Sequence, residues 1–212
     1  MCGRYATGNL SWTQYRERLN LIGEPTLNFE PRFNIAPTAS APVAFYDGER
    51  RSLSMARWGI WKPWMEGKRL STFNARDDRL QESRLFAPLV ERRRALVPAL
   101  GFYEWTGQRG ERQPHFIRDP DPDRMLVFAG LWDRAEKDGE PLISFTIITT
   151  AANDQMAAIH DRMPVILSEE TQEAWIGGEA AEAILKPWGA ELRIDPVAPL
   201  KREDGAWQIN PL

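Results

Sequence analysis

The chain opens MCGRYA, and Cys2 is the only cysteine among its 212 residues. A chain end is a poor place for a core residue, because termini fray unless something ties them down. Loss of Met1 would give Cys2 a free amine beside its thiol, a vicinal aminothiol. That amine titrates at about 7.7–8.0 and the thiol at about 8.5, so both nucleophiles are partly deprotonated near neutral pH. Together they trap an aldehyde: the amine forms a Schiff base, and the neighbouring thiolate then closes a five-membered thiazolidine. An internal cysteine cannot do this. The small Cys side chain after Met1 is of the kind that permits removal of the methionine. The plain alternative is an incidental cysteine.

Three further residues have the right chemistry. His160, in AAIHDRMPVIL, is one of two histidines and lies between a short helical segment and an apolar strand. Its ordinary pKa of about 6.5 suits a general acid or base. A contact with the adjacent Asp161 is the competing reading. The second histidine, His115 in RQPHFI, begins a strand and reads as structural. Glu104 lies in GFYEW, where alternation puts Phe102 and Glu104 on one face and Tyr103 and Trp105 on the other. A carboxylate among aromatic side chains is a candidate for a raised pKa. It equally fits an edge-strand charge. Asn74 offers a donor and an acceptor to a polar substrate. It lies in WGIWKPWMEGKRLSTFNARDD, where Trp58, Trp61 and Trp64 interleave with Lys62, Lys68, Arg69 and Arg76. Stacking rings between cations suit single-stranded nucleic acid. Nine tryptophans in all leave room for some of them to be core. The metal- and nucleotide-binding motifs CxxC, HExxH, GxGxxG and the P-loop are absent, so neither a metal nor a cofactor is expected.

Charge supports a local rather than a global affinity for phosphate. The net charge is −3, yet residues 57–94 carry ten Lys/Arg against five acids, leaving −8 for the remainder. Counterion release depends on the patch and not on the total. A solvated helix face with paired charges is the bland reading of the same run. One cysteine excludes an internal disulfide, no run of about 18 apolar residues suggests a membrane span, and no signal peptide is visible. These features lead us to expect a cytoplasmic protein.

The elements that must position these residues are mostly strands. Ser11 and Gln14 form an S-x-x-Q capping box for a first helix bearing Tyr15, Leu19 and Ile22, which Gly23 and Pro25 should stop. Residues 26–41 read as loop. Strand patterns follow at 42–46, 52–58, 95–99, 101–105, 115–118, 125–132, 143–150 and 164–167. Helical segments are expected at about 76–93, 153–159, 168–175 and 179–185, with Gly177 and Gly178 ending the third. YDGER and EKDGE read as hairpin linkers. The expectation is an α+β fold: a single domain over 1–212 with a mainly antiparallel, barrel-like sheet and peripheral helices.

MCGRYA, RFNIAPT (32–38), RWG (57–59), NAR (74–76), GFYEW (101–105), FAGLWD (128–133), TTAAND (149–154) and IHDRMPVIL (159–167) occur in one order along the chain. This ordered set, spanning residues 2 to about 175, resembles the SRAP family of SOS response-associated peptidases, or abasic-site processing proteins. The resemblance implies that Cys2, freed of Met1, forms a thiazolidine crosslink with the ring-opened aldehyde of an abasic site in single-stranded DNA. It also implies catalytic positions at Asn74, Glu104 and His160. His160 would act as general acid on the deoxyribose ring oxygen, Glu104 would take a proton from the Cys2 ammonium, and Asn74 would hold the sugar or the amine. Arg4 and Arg76 are expected on phosphates, Trp64 beside the damaged nucleotide, and Thr38 and Thr150 on the nearby DNA backbone. A monomer working at the nucleoid is expected, with autoproteolysis of Met1 and weak abasic-lyase activity as accompanying properties.

One departure concerns the carboxyl end, where DPVAPLKREDG keeps Pro196 and Val197 but has Ala198 in place of the family's hydroxyl residue. Two rival functions share the opening motif or the basic tract. N-terminal-nucleophile amidohydrolases, such as glutaminases, also begin Met-Cys-Gly, but their further Asn-Gly and Asp signals are not in place. A non-covalent module for single-stranded DNA would leave Cys2 idle.

Overall fold

Period-two alternation along the strands sorts the side chains of this protein into an inner and an outer set. A computed structural model describes every residue except Met1, 23–28, Asp47, 69–71 and Arg109. The chain begins with β1 (Arg4–Ala6) and α1 (Trp12–Arg18), then makes the hairpin of β2 (Ser40–Tyr46) and β3 (Arg51–Trp58). Next come β4 (Asn74–Arg76), α2 (Ala87–Arg92), β5 (Arg94–Ala99), β6 (Gly101–Thr106) and β7 (Gln113–Arg118). Two twelve-residue strands follow, β8 (Leu126–Lys137) and β9 (Glu140–Ala151). The rest is α3 (Asp154–Ala157), β10 (Arg162–Pro164), α4 (Glu169–Gly177), α5 (Ala181–Ile184) and β11 (Arg193–Pro196).

β9 pairs with β3 on one side and β8 on the other, while β3, β2, β5 and β8 are linked in turn. These five strands close on themselves, which removes exposed edges. β4 and β10 also pair with β9. The separate order β1-β6-β7-β11 forms a four-stranded sheet, joined to the ring through Leu100 between β5 and β6. The fold is thus the expected α+β single domain with a barrel-like sheet. Pairing is mainly antiparallel; β3 and β4 run parallel to β9.

Ala44, Leu53, Leu96, Leu131 and Ile148 pack outward against Tyr15 and Leu19 near α1, Leu89 and Val90 of α2, and Trp175 of α4. The alternate positions, including Val43, Phe45, Trp58, Val97, Phe128 and Phe145, cluster inside with Cys2, Tyr5 and Phe102. Trp58 meets Tyr5 edge-on at 5.0 Å and Phe73 at 5.8 Å. Such aromatic pairs contribute about 0.5–1.5 kcal/mol each beyond simple burial. The terminus carrying Cys2 is therefore packed against the barrel's own core.

Several local signals fold as read. The Ser11 hydroxyl accepts from Gln14 N, and the Gln14 side chain accepts from Ser11 N at 2.8 Å. Asp138 (φ 53°) and Gly139 (φ 84°) form the tight hairpin between β8 and β9, where both central residues need positive φ. Ser168 caps α4, and Gly178 ends it at φ 89°. Asn153 caps α3, and the last expected helix is the short α5.

Other expectations are corrected. α1 stops at Arg18, so Ile22 lies beyond it and is 71% exposed; Gly23, Pro25 and the start of the 26–41 loop fall outside the described residues. Asp47 of the YDGER linker does too. No single helix spans 76–93: Arg76 ends β4, a short 3-10 turn covers Asp77–Arg79, and α2 begins only at Ala87, with Pro88 in its first turn. Pairing of β4 with β9 overrides the local helical pattern. The strand near 164–167 is Arg162–Pro164, with Ile166 making one isolated bridge to Phe128. β1, β4 and β11 are three or four residues long, too short for a periodic signature.

Candidate active site

Cys2 lies just before β1 and is fully buried. Its main-chain carbonyl accepts a 2.7 Å hydrogen bond from the Asn74 side-chain amide, which β4 presents from across the protein. The Asn74 carbonyl oxygen is buried and has no hydrogen-bond partner among the described residues. One end of this amide therefore anchors the terminus, and the other remains an open acceptor.

Glu104 is only 4% exposed, on β6. β6 pairs antiparallel with β1, Arg4 opposite Tyr103 and Tyr5 opposite Phe102, so this register runs toward Cys2 and Glu104 together. Burial pushes the Cys2 thiol far above its ordinary range, and the Glu104 charge pushes it further. Both effects hold the proton on the thiol. His115 stands opposite Glu104 in the β6–β7 register, with Nε2 3.0 Å from the Thr106 hydroxyl. Burial lowers its pKa.

His160 precedes β10 with its side chain 29% exposed. Its Nδ1 lies 3.0 Å from the Arg162 N–H and 2.7 Å from an Asp161 carboxylate oxygen. The amide needs a lone pair on that nitrogen, whereas the carboxylate needs a proton there. The two contacts therefore call for a bare and a protonated Nδ1, respectively. β9 carries β4 with Asn74 on one side and β10 on the other, with Thr149 facing Arg76 and Pro164. A hydrogen bond joins Cys2 to Asn74 and an electrostatic influence links it to Glu104, while described contacts tie His160 to Asp161 and Arg162.

The residues expected at DNA occupy different settings. Arg4 donates to the Asn34 side-chain oxygen at 2.7 Å, and the Asn34 amide donates to Lys201 O at 2.7 Å. Arg76 forms a two-point pair with Asp78 at 2.9 and 2.6 Å, which holds the Asp78 carboxyl at about 2. Trp64 is 56% exposed, with the Lys68 ammonium 5.3 Å from its ring centre. Trp58, from the same tract, is wholly buried and belongs to the core. Thr150 is buried where β9 pairs with β10.

Thr38 has φ +77° in a turn closed by Ala39 N donating to Ala36 O at 3.0 Å. Positive φ is unusual for a β-branched residue and marks local strain.

Sequence reasoning passed over Arg162. Its side chain is 10% exposed and donates to Asp77 at 2.6 Å and to the Thr149 main-chain oxygen. With Asp78 also 3.9 Å away, it links β10 to the end of β4. Its only sequence signal was its place beside His160 and before an apolar run. Among the described residues no group of three or more His, Cys, Asp and Glu converges in a way that could hold a metal ion, and no helix is long and apolar enough to cross a membrane.

The sequence profile of the SOS response associated peptidase (SRAP) family matches residues 1–200. Abasic site processing protein YoqW of Bacillus subtilis (strain 168) is 30% identical over 200 residues, covering 90% of this chain and 89% of that protein. Abasic site processing protein YedK of Escherichia coli (strain K12) is 31% identical over 195 residues, with coverages of 86% and 84%. HMCES of Gallus gallus, also named an abasic site processing protein, is 34% identical over 200 residues, covering 76% of this chain and 60% of its own length. A crystal structure of a phage-related protein from Bordetella bronchiseptica aligns with a TM-score of 0.71 at 28% identity, covering 93% of this chain and 95% of that one.

Proposed function

The chain belongs to the SRAP family, and on that premise we propose that it processes abasic sites in single-stranded DNA by covalent capture on Cys2. The observation that carries this reading is the anchoring of Cys2 by Asn74 beside the Glu104 carboxylate. Amine, thiol and proton acceptor then meet in one buried place, which is the proximity a two-step capture requires.

Removal of Met1 exposes the Cys2 amine. The open acceptor of Asn74 orients its N–H, and Glu104 takes the ammonium proton so that a lone pair is free. His160, in its protonated form, gives a proton to the deoxyribose ring oxygen and favours the open aldehyde. The amine adds to the aldehyde carbon and water leaves, giving the Schiff base. The sulfur then attacks the imine carbon. Its S–H bond breaks as S–C forms, and that proton ends on the nitrogen of the closed thiazolidine. Elimination from the Schiff base before closure would account for weak lyase activity.

Arg4, Arg76, Thr38, Trp64 and Thr150 are our choices for holding the strand around the lesion, with the two arginines on phosphates and Trp64 stacking. Asp78 limits how much positive charge Arg76 presents. We take the domain to run through residue 212, because Asp204 accepts from Phe33 N at 2.6 Å and Gln208 donates to Lys201 O and Glu203 O. A monomer acting on cytoplasmic DNA, without metal or cofactor, completes the reading.

The test incubates purified chain lacking Met1 with an abasic single-stranded oligonucleotide, followed by intact mass and a denaturing gel. A heat-stable adduct, lighter by one water than the sum of its parts, is expected from wild type and from neither Cys2→Ala nor chain retaining Met1. An equal adduct from Cys2→Ala would sink the proposal. Binding without any adduct would point to a non-covalent module, and ammonia release from glutamine to an amidohydrolase.

A further inference from the structure

Three successive arginines, Arg92, Arg93 and Arg94, stand where α2 passes into β5, and their side chains have different fates. Arg94 donates to Val90 O at 2.7 Å, and to Trp175 O and Glu179 O at the end of α4 at 3.0 and 2.7 Å. Its role is structural. Arg93 instead lies over the ring of Trp132, with 4.3 Å between guanidinium carbon and ring centre. Trp132 is stacked in turn on Phe45 at 4.0 Å and 20°. The Arg93 guanidinium has no ion pair with any described residue. With the ring beneath it, the guanidinium can offer N–H donors to an anion.

These residues line a cleft of about 300 Å³ with Tyr46, Gly48 and Gly178. Tyr46 is 51% exposed, and its hydroxyl donates to Glu49 O at 2.9 Å, so the ring has a fixed attitude at the rim. A Cβ built on Gly48 or Gly178 would meet nothing within 4 Å, so the backbone borders open space there. Among the described lining residues Glu91 is the one carboxylate, against three arginines. Along β5 the cleft lies at the Arg94 end, whereas Ala99 leads through Leu100 into β6 and Glu104. Six residues of strand span roughly 20 Å, which places the cleft well away from Cys2.

We propose that this cleft binds one nucleotide, with its phosphate on Arg92 and Arg93 and its base against Tyr46. A cleft near the lower end of ligand-pocket volumes, about 300–1,000 Å³, suits a ligand of that size. Charge-assisted donation from a planar guanidinium and stacking on an exposed ring are the interactions a nucleotide offers. The phosphate and base could come from a free nucleotide or from one unit of a strand. The proposal does not rest on the Cys2 reading, and its test keeps the two apart.

The test uses the full chain carrying Cys2→Ala and follows backbone amide resonances during titration with thymidine 5′-monophosphate, thymidine, inorganic phosphate and a short oligothymidylate. The nucleotide should shift Tyr46, Gly48, Arg93 and Gly178 saturably, and thymidine or phosphate alone should bind at least about tenfold more weakly. Arg93→Gln and the rim variant Tyr46→Ala should each weaken nucleotide binding by about tenfold or more. Tighter binding of the oligonucleotide would assign the site to a strand, and tighter binding of the mononucleotide to a free ligand; both support the chemistry proposed. No saturable shift at millimolar nucleotide would overturn it. So would phosphate binding as tightly as nucleotide, or a Tyr46→Ala chain that folds and binds unchanged. Crosslinking by the Cys2-containing Arg93→Gln chain should remain at wild-type level.

Discussion

The Asn74 side-chain amide donates to the main-chain carbonyl of Cys2 at 2.7 Å, across seventy-two positions of sequence. This bond ties down a terminus that would otherwise fray. Asn74→Ala leaves a buried carbonyl without its donor, at a cost of about 1–3 kcal/mol. The urea midpoint should fall, and crosslink formation with an abasic oligonucleotide should slow by more than the folded fraction accounts for. A crosslinking rate equal to wild type would remove Asn74 from the site.

Burial, and then the Glu104 charge, hold the Cys2 thiol proton on in the folded chain. Above about pH 8.5 the unfolded chain releases that proton while the folded chain keeps it, so stability falls as pH rises. Burial likewise pushes up Tyr5, Tyr15 and Tyr103, which contribute in the same direction. Comparison with Cys2→Ser isolates the thiol: the variant should lose less stability than wild type between neutral and alkaline pH in urea titrations.

Glu104→Gln separates two effects of one carboxylate. Removing its charge should let alkylation of Cys2 begin at lower pH, because thiolate forms more readily. Abasic crosslinking should fall at the same time, because the proposed proton acceptor is gone. Alkylation profiles that do not move would break the electrostatic link between the two residues.

Thr38, at φ +77°, occupies a conformation that glycine adopts without strain. Relief of about 1–3 kcal/mol of strain, less the roughly 0.5–1 kcal/mol entropic cost of glycine, favours Thr38→Gly. Thermal unfolding should shift upward by about 2–4 °C for each kcal/mol gained. Fluorescence-anisotropy titration should show weaker binding of single-stranded DNA. A lower melting temperature would mean that the threonine side chain supports the fold.

Asp78 accepts from Nε and Nη2 of Arg76 on an exposed surface. Asp78→Asn should release the guanidinium and tighten binding of single-stranded DNA several-fold at low salt, with the gain fading as salt rises. Arg76→Ala should weaken binding, and the double variant should behave like Arg76→Ala. Additive effects would show that Asp78 acts elsewhere, through its 3.9 Å approach to Arg162.

Much of the fold was legible because its signals are local. The Ser11–Gln14 box, the Asp138–Gly139 turn and the alternation of β2, β5, β8 and β9 each need only a few neighbouring residues. The 76–93 segment misled because its charge spacing is helical, while its first residue is held in a strand by β9. The tryptophan tract misled in part for a similar reason: Trp58 and Trp64 look alike in sequence, yet one is core and the other is 56% exposed. Arg162 was passed over because the acids that pair with it lie eighty-five positions away, at Asp77, and beside it at Asp78.

By itself the sequence determined which groups are adjacent along the chain. Cys2 follows Met1, so one cleavage yields amine and thiol on the same residue, and covalent geometry guarantees their spacing. Strand periodicity likewise dictated which side chains share a face, since successive residues must point to opposite sides. Only the tertiary structure decided what surrounds those groups: Asn74 on the Cys2 carbonyl, the Glu104 charge acting on its thiol and Asp78 on Arg76. Each of these depends on how β1, β4, β6 and β9 pair, and strand pairing joins residues whose separation leaves no periodic trace. The proposed reagent is thus encoded locally, and its protonation and restraint arise from long-range packing.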